Sequence, residues 1–453
     1  MERMYVSALS SAPMLNLLIK NVRIIDPSRP DCGEDGFTGD LLIRDGVLVA
    51  LGKEIKGSPE ATVLDGRGLW CLPGLVDMHV HLREPGEEYK ETVETGTRAA
   101  VAGGFVAVAC MPNTTPPNDD PSVTAYILEK ADKSGACRVY PVAGITRGLL
   151  GDELTEMGLL LQAGAVAFSD DGNPVMNSRV MRRALEYAAQ FDATVISHCE
   201  DKNLSGGGVI NEGSVSVRLG LRGIPRVAES VMVARDVALA DYTGSRVHIA
   251  HVSTAESVRI IREARGRGVK VTAETAPHYF TLTEDSIVAS NYDPLFKVNP
   301  PLRTERDVEA IKQALADGII DVIATDHAPH SVMEKDVEFD YAAFGMVGLE
   351  VALPLCLNLI REGVMSPAAL VRAMSVNPCN ILGIPPKVLQ EGERVSLTLV
   401  DPEAEWIVDV NSFFSKGKNC PFAGWKVKGR SELTVCEGRV VFARERCIGI
   451  ISR

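Results

Sequence analysis

Three absences narrow the field before any motif is read. The 453 residues include ten cysteines (Cys32, Cys71, Cys110, Cys137, Cys199, Cys356, Cys379, Cys420, Cys436 and Cys447) but no C-x-x-C pair. That excludes a zinc ribbon or a thioredoxin motif. The thiols are scattered through apolar stretches, as small buried cysteines of a reducing compartment are. No apolar run reaches the ~18 residues needed to span a bilayer. Positive charge is in deficit: 47 Lys and Arg stand against 60 Asp and Glu, a net charge of −13. A surface this acidic argues against nonspecific binding to nucleic acid phosphates. There is no repeat of solenoid period and no low-complexity tract. The opening, MERMYVSALSSAPMLNLL, carries Glu2 early and is broken by Pro13, so it reads as a loose tail and not as a signal peptide. The expected location is the cytoplasm.

What is present is ordinary globular material, 45% hydrophobic and 24% charged, long enough for two or three domains or one large barrel with an appendage. The two ends look alike. Residues 15–26 (LNLLIKNVRIID), 41–51 and 61–64 alternate as strands, with Asp45-Gly46 as a hairpin turn. Residues 394–400, 406–408, 433–436 and 439–442 form short strands at the far end, the last two joined at Glu437-Gly438. Neither set closes a core alone, so the two are expected to pack together as one small β-domain from residues 1–70 and 386–453.

The middle, 71–385, alternates differently. Eight short apolar runs, at 75–82, 105–111, 138–144, 165–171, 194–199, 246–253, 270–276 and 321–327, are separated by segments with apolar residues at helical spacing, such as 91–102, 177–190, 226–241, 255–267 and 305–317. Near-continuous apolar runs mean strands buried on both faces. Eight such units predict an α/β fold of the (β/α)8 TIM-barrel type. Two long connections, 200–224 and 329–347, stand out as loops of functional length.

All eight histidines (His79, His81, His198, His248, His251, His278, His327 and His330) fall in or just after the predicted barrel strands. In such barrels the chemistry sits at the carboxyl ends of the strands. His79 and His81 (VDMHVHL) end the first strand, where residues i and i+2 share a face and two imidazoles can converge on one ion. Asp170 and Asp171 end the fourth; one of them can be turn punctuation while the other is a ligand. His198 ends the fifth and His251 the sixth. Asp326 ends the eighth, in a run so apolar that its carboxylate needs a partner or a metal. Four histidines and carboxylates from five strand ends suit a borderline metal such as zinc, with a carboxylate able to bridge two ions. His278 reads as a supporting residue, His327 as structural and pointing away, and His248 as core.

With these residues in place the sequence resembles the amidohydrolase superfamily. The stretches PGLVDMHVHLREPG, MPNTTPP, AFSDDG, SHCED, HVST, TAETAPHYF, KVNPPLR, ATDHAPH and SKGKNCPFAGWK resemble those of the bacterial single-chain dihydroorotase family, over about 15–442. The resemblance implies that His79 and His81 with Asp326 hold one metal, that His198 and His251 hold a second, and that Asp171 bridges them. It implies two zinc ions per chain. Related cyclic-amide hydrolases, and some dihydroorotases, bridge their metals with a carboxylated lysine; FSDDG has none, which favours this dihydroorotase type over a hydantoinase. Arg83 and Asn113 match contacts to the substrate carboxylate, and Asn299 and His330 match contacts to its ring. Tyr341-Ala342-Ala343-Phe344-Gly345 departs from the family pattern, which more often has proline before Phe-Gly, and MVGLE follows atypically.

The implied activity is reversible conversion between L-dihydroorotate and N-carbamoyl-L-aspartate, in pyrimidine biosynthesis. A metal-bound hydroxide would attack the ring amide, with Asp326 as proton shuttle. One rival is a hydantoinase, dihydropyrimidinase or allantoinase-like hydrolase. The other is a scaffold without catalysis that serves aspartate transcarbamoylase; all six ligand candidates are present, which weighs against it. The resemblance suggests a homodimer. It leaves open an aspartate transcarbamoylase partner. No nucleic acid or membrane partner is expected.

Overall fold

The computed structural model describes residues 4–56 and 61–450. Eight strands form one parallel sheet in chain order: β1 (Leu75–Val80), β2 (Phe105–Cys110), β3 (Arg138–Ala143), β4 (Ala167–Ser169), β5 (Thr194–Ser197), β6 (Val247–Ile249), β7 (Val271–Thr275) and β8 (Val322–Ile323). A parallel bridge from Val80 to His327 joins the first strand to the end of the last, and His81 N–H donates to His327 O at 2.9 Å. The expected (β/α)8 barrel is therefore present.

Local chemistry explains the connections. The helix Val93–Ala102 begins at Thr92, whose side chain accepts from Thr95 N–H in a reciprocal cap. Thr254 accepts from Ser257 N–H to start Ala255–Gly266, and Thr304 with Asp307 caps Glu305–Ala316. Such caps satisfy amides that a helix leaves open at its start. The helices pack on the outer faces of the strands through one continuous core that includes Phe105, Phe168, Val195 and Ile261. The lumen is filled by Val76, Met78, Ala107, Val142, Ile196 and Val322, and closed by Cys379, Leu382 and Ile384. Burying each large aliphatic side chain fully is worth about 1.5–3 kcal/mol, so the lumen is a packed plug and not a pore.

The terminal segments interleave in a second sheet. Its order is Met4–Val6, Arg439–Arg444, Lys426–Cys436, Leu397–Ile407, Trp70–Pro73, Leu17–Ile24, Phe37–Arg44 and Val47–Gly52, with Thr62–Asp65 beside Leu17–Ile24. Leu397 lies opposite Pro73 on one side and Val435 on the other, so strands from the two ends of the chain are hydrogen-bonded neighbours. The two hairpin turns meet. Gly46 (φ 75°) and Gly438 (φ 78°) pack backbone to backbone, and a Cβ on either would lie 2.6 Å from the other.

Two expectations need correction. The opening segment is not wholly loose: Met4–Val6 pairs antiparallel with Arg439–Arg444, Met4 opposite Arg444. Residues 1–3 lie outside the described residues. The separate short strands expected at 394–400 and 406–408 are one strand, Leu397–Ile407, interrupted by a register shift between Asp401 and Glu405. A bulge leaves residues unpaired, which breaks the alternation that the eye reads as a strand.

The two long connections carry structure of their own. Residues 200–224 hold short helices, Lys202–Ser205 and Ser214–Leu219, and a two-stranded pair, Ile210–Asn211 with Gly223–Ile224. Residues 329–347 hold the single helical turn Val332–Lys335. Among the described residues, no helix is long and apolar enough to cross a membrane.

Candidate metal centre

The carboxyl ends of the barrel strands bring the sequence-predicted ligands to one place. His79 Nε2 lies 3.4 Å from Asp171 Oδ1 and 3.6 Å from Asp326 Oδ1. His81 Nε2 lies 3.1 Å from Asp326 Oδ1 and 3.5 Å from Asp171 Oδ2. His198 Nδ1 and His251 Nε2 face each other at 2.8 Å, and they lie 3.6 and 3.5 Å from Asp171 Oδ1. Two donor groups result, His79–His81–Asp171 and Asp171–His198–His251, and they share Asp171. Asp170 faces elsewhere: its carboxylate accepts from Thr146 N–H and Thr146 Oγ1. The adjacent pair thus divides its labour, one acid fixing the turn and the other entering the cluster.

Backbone geometry at the strand ends aims these side chains. The pairing of β1 with β2 slips between Asp77 and Val80, immediately at His79; such bulges re-aim a side chain near a site. Arg83, His251 and Asp326 all adopt left-handed φ values, 61°, 34° and 51°. Each costs of order 1–3 kcal/mol in a residue with a Cβ, and such strain gathers at functional sites.

The donor set fits a cation. His79 Nε2 and Asp171 Oδ1 are buried and, among the described residues, neither has a hydrogen-bond partner. Burial opposes charge on both, yet Asp171 and Glu274 hold the His79 imidazole well above its ordinary pKa. Burial likewise opposes ionisation of Asp171, and His79, His198 and His251 still hold its carboxyl well below the usual range. His198 is raised to about 9 against burial, by Asp171 and Glu200. The pocket is built for added positive charge between imidazole and carboxylate. Nitrogen and oxygen donors of this kind suit zinc or a similar divalent ion.

A further set of buried acids orients the imidazoles, and sequence reasoning missed it. Glu274, near the end of β7, accepts from His79 Nδ1–H at 2.5 Å, from His248 Nε2 at 3.2 Å and from His251 N–H at 3.4 Å. With a metal bound beside Asp171, this contact would fix the His79 tautomer whose Nε2 lone pair serves the ion. His248 is thus tied to the site and is not plain core. Glu200 Oε2 gathers His198 Nε2 at 3.3 Å, Lys202 Nζ at 2.6 Å and Asn299 Nδ2 at 2.9 Å. The available signal was a carboxylate inside an apolar strand (VTAET), the same argument that singled out Asp326. His327 does turn away: its Nε2 faces Glu91 at 3.3 Å, and its Nδ1 accepts from Gly348 N–H. His278 is buried with Nε2 unpartnered, and burial pushes its pKa down to about 4.

Beside the cluster opens a cavity of about 380 Å³, lined by His81, Asp171, His198, His251 and Asp326 and also by Arg83, Asn113, Asn299 and His330. Arg83 is only 8% exposed, and its nearest carboxylate, Glu87, is 4.0 Å away. Its Nε–H donates to Pro329 O at 3.2 Å, and it is a buried residue of the cavity lining. Asn113 Oδ1 accepts from His81 Nδ1–H at 2.9 Å, which leaves its amide nitrogen free to donate. Asn299 is the reverse, its nitrogen engaged by Glu200 and its oxygen free to accept. His330 Nε2–H donates to Phe344 O at 2.7 Å.

Comparison with known proteins gives a consistent result. A family model described as dihydro-orotase-like matches residues 68–257. The dihydroorotase of Syntrophobacter fumaroxidans is 55% identical over 433 residues, 95% of this chain and 97% of that protein. That of Geobacter metallireducens is 54% identical over 95% of this chain and the whole of that protein. Among solved structures, the L-hydantoinase (dihydropyrimidinase) from Arthrobacter aurescens superposes with a TM-score of 0.83 at 25% identity, over 94% of this chain and 96% of that one.

Proposed function

The chain belongs to the dihydroorotase family, and from that premise we propose that it interconverts L-dihydroorotate and N-carbamoyl-L-aspartate for pyrimidine biosynthesis. The observation that carries the reading is one cavity with two walls. One wall carries His81, Asp171, His198, His251 and Asp326, with His79 behind it against Asp171; the other offers Arg83, Asn113, Asn299 and His330. A cyclic amide bearing a carboxylate needs both.

His79, His81 and Asp326 would hold one metal, and His198 and His251 a second, with Asp171 between them; we take the ions to be zinc, two per chain. Bound there, they supply Lewis acidity and lower the pKa of water from 15.7 toward ~7. The remaining work falls to the protein. Arg83 grips the substrate carboxylate through two parallel N–H donors, and Asn113 adds its free amide nitrogen. Asn299 accepts from a ring N–H through Oδ1. His330, its ring fixed by Phe344 O, closes the same side. Asp326 is buried, which opposes ionisation, but His81 and its neighbours hold its carboxyl below the ordinary range. It therefore enters the reaction ionised. Asp326 takes the proton of the attacking water and returns it to the ring nitrogen as the C–N bond breaks; the reverse sequence closes the ring and releases water.

The chemistry is assigned to residues 71–385, with 1–70 and 386–453 as the supporting β-domain. All the site residues come from one chain. A cytoplasmic location, a homodimer and a docked aspartate transcarbamoylase are compatible with this reading. The hydantoinase alternative shares the barrel, but Asp171 stands where that chemistry uses a carboxylated lysine. Side-by-side rates on dihydroorotate, hydantoin and allantoin separate the two: the reading requires dihydroorotate to be preferred by orders of magnitude, and a preference for hydantoin overturns it.

A further inference from the structure

Gly345 lies in the cavity wall, and its backbone is held from two directions. Its carbonyl accepts from Lys335 Nζ at 3.0 Å and from Asn419 Nδ2 at 3.1 Å, and its N–H donates to Lys297 O at 2.9 Å. Lys335 donates further to Ala343 O at 2.9 Å and to Lys297 O at 3.3 Å. This ammonium is 5% exposed, and among the described residues its hydrogen-bond partners are all backbone carbonyls. Burial, and next Lys297, push its pKa down to about 7. A buried ammonium held only by carbonyls is costly, so its retention beside the cavity calls for a role.

Asn419 reaches in from the C-terminal segment. Its Oδ1 accepts from His330 N–H at 3.0 Å, and its Nδ2 also donates to Ala328 O at 3.0 Å. It thus brackets Pro329 and fixes the backbone that leads into His330. The His330 ring closes the circuit through Phe344 O, between the Ala343 and Gly345 carbonyls that Lys335 holds. Ala343 N–H adds a bond to Glu334 O at 3.0 Å, which a proline at that position could not make. Neither Lys335 nor Asn419 lines the cavity.

We infer that Lys335 and Asn419 form a two-sided clamp on Gly345 and are positioning residues that set the His330–Arg83 wall, and with it the affinity for the substrate carboxylate. This rests on the reading of Arg83 and His330 as substrate contacts. The clamp acts away from the metal ligands, so its loss should weaken binding more than turnover.

The test uses the full-length, metal-loaded protein and two variants, Lys335→Met and Asn419→Ala. Each should raise KM for dihydroorotate about tenfold while kcat changes less than about threefold. A role that is merely structural would not depend on His330. In a His330→Asn background, either substitution should therefore add less than about a twofold further rise. Hydrogen exchange of the 343–347 amides, measured without substrate, should quicken in both variants. Unchanged KM with unchanged exchange overturns the clamp, and so does full additivity with His330→Asn. Should one variant not fold, the other carries the same comparison. If the wild-type protein does not turn over dihydroorotate, the function reading fails, and the exchange measurement still decides the clamp.

Discussion

Replacing Glu274 with glutamine keeps the shape of a side chain that touches no substrate and removes its charge. Glu274 is 1% exposed and takes three hydrogen bonds, from His79 Nδ1, His248 Nε2 and His251 N–H. Glutamine has one acceptor oxygen where the carboxylate has two. Its NH2 must then face either His79 or His248, and that imidazole must present a lone pair. If His79 complies, its proton moves to Nε2, the atom that should face a metal beside Asp171. If His248 complies, His79 keeps its tautomer but loses a charge-assisted bond, roughly twice as strong as a neutral one. Removing a carboxylate behind a metal-binding histidine costs about 10–100-fold in metal affinity, equivalent to ~1.4–2.7 kcal/mol. The assay is equilibrium dialysis of wild type and Glu274→Gln against buffered free zinc, with metal content read by mass spectrometry and folding checked by thermal melt. The variant should need about 10–100-fold more free zinc to fill the site proposed at His79, His81 and Asp326. A folded variant with wild-type affinity refutes the orienting role and weakens the assignment of His79 as a ligand.

Other outcomes follow from the same geometry. Arg83→Met should lower kcat/KM for dihydroorotate by about 10²–10³-fold, mostly through KM, since two hydrogen bonds to a charged group are lost at about 1.5–3 kcal/mol each before water compensates; steady-state kinetics decide it, and a normal KM counts against the carboxylate-binding role. Asp326→Asn, assayed at saturating zinc with its metal content measured, should keep its fold but lose most turnover, about 10²-fold or more; full activity with metal retained removes Asp326 from the proton path. Gly46→Ala places a Cβ 2.6 Å from the Gly438 backbone in a residue with φ of 75°, so it should cost about 1–3 kcal/mol in a denaturant melt, and an unchanged midpoint contradicts the glycine-on-glycine contact. Burial raises the Glu350 carboxyl to about 8, against the pull of Ser415 and Phe414 N–H. The folded state then binds more protons than the unfolded state between about pH 4.5 and 8, so this group's contribution is full below about 4.5 and is lost as pH rises through 8. In Glu350→Gln that loss, at most roughly 1.4 kcal/mol for each pH unit of the window, should vanish from the pH dependence of stability; a variant with the wild-type slope removes Glu350 as its source.

Much of this architecture was legible because it is local. Apolar runs buried on both faces have a periodicity that any single strand displays, and histidines at strand ends announce themselves by position. His79, His81, His198, His251 and Asp326 could be found that way, and the resemblance decided between Asp170 and Asp171. What escaped depends on partners distant in the chain. Met4–Val6 is a strand only because Arg439–Arg444 lies beside it, and three residues carry no pattern of their own. Asn419 gives no local sign that it reaches Ala328, His330 and Gly345. Glu274 lay within reach of sequence reasoning, since a carboxylate in a buried strand needs a partner; Glu200 lies past the end of its strand and carries no such sign. The ligands had drawn the eye from the acids that steady them.

The central claim is that carboxylate recognition and a metal-dependent amide hydrolysis share one cavity. Its most direct test follows a single preparation through metal removal and return, measuring bound metal and L-dihydroorotate hydrolysis at each step. Turnover should fall in proportion to the metal lost to a chelator, disappear when the metal is gone, and come back when zinc is restored to about two ions per chain. Undiminished hydrolysis of dihydroorotate by metal-free protein, or none by protein fully loaded with zinc, would contradict it.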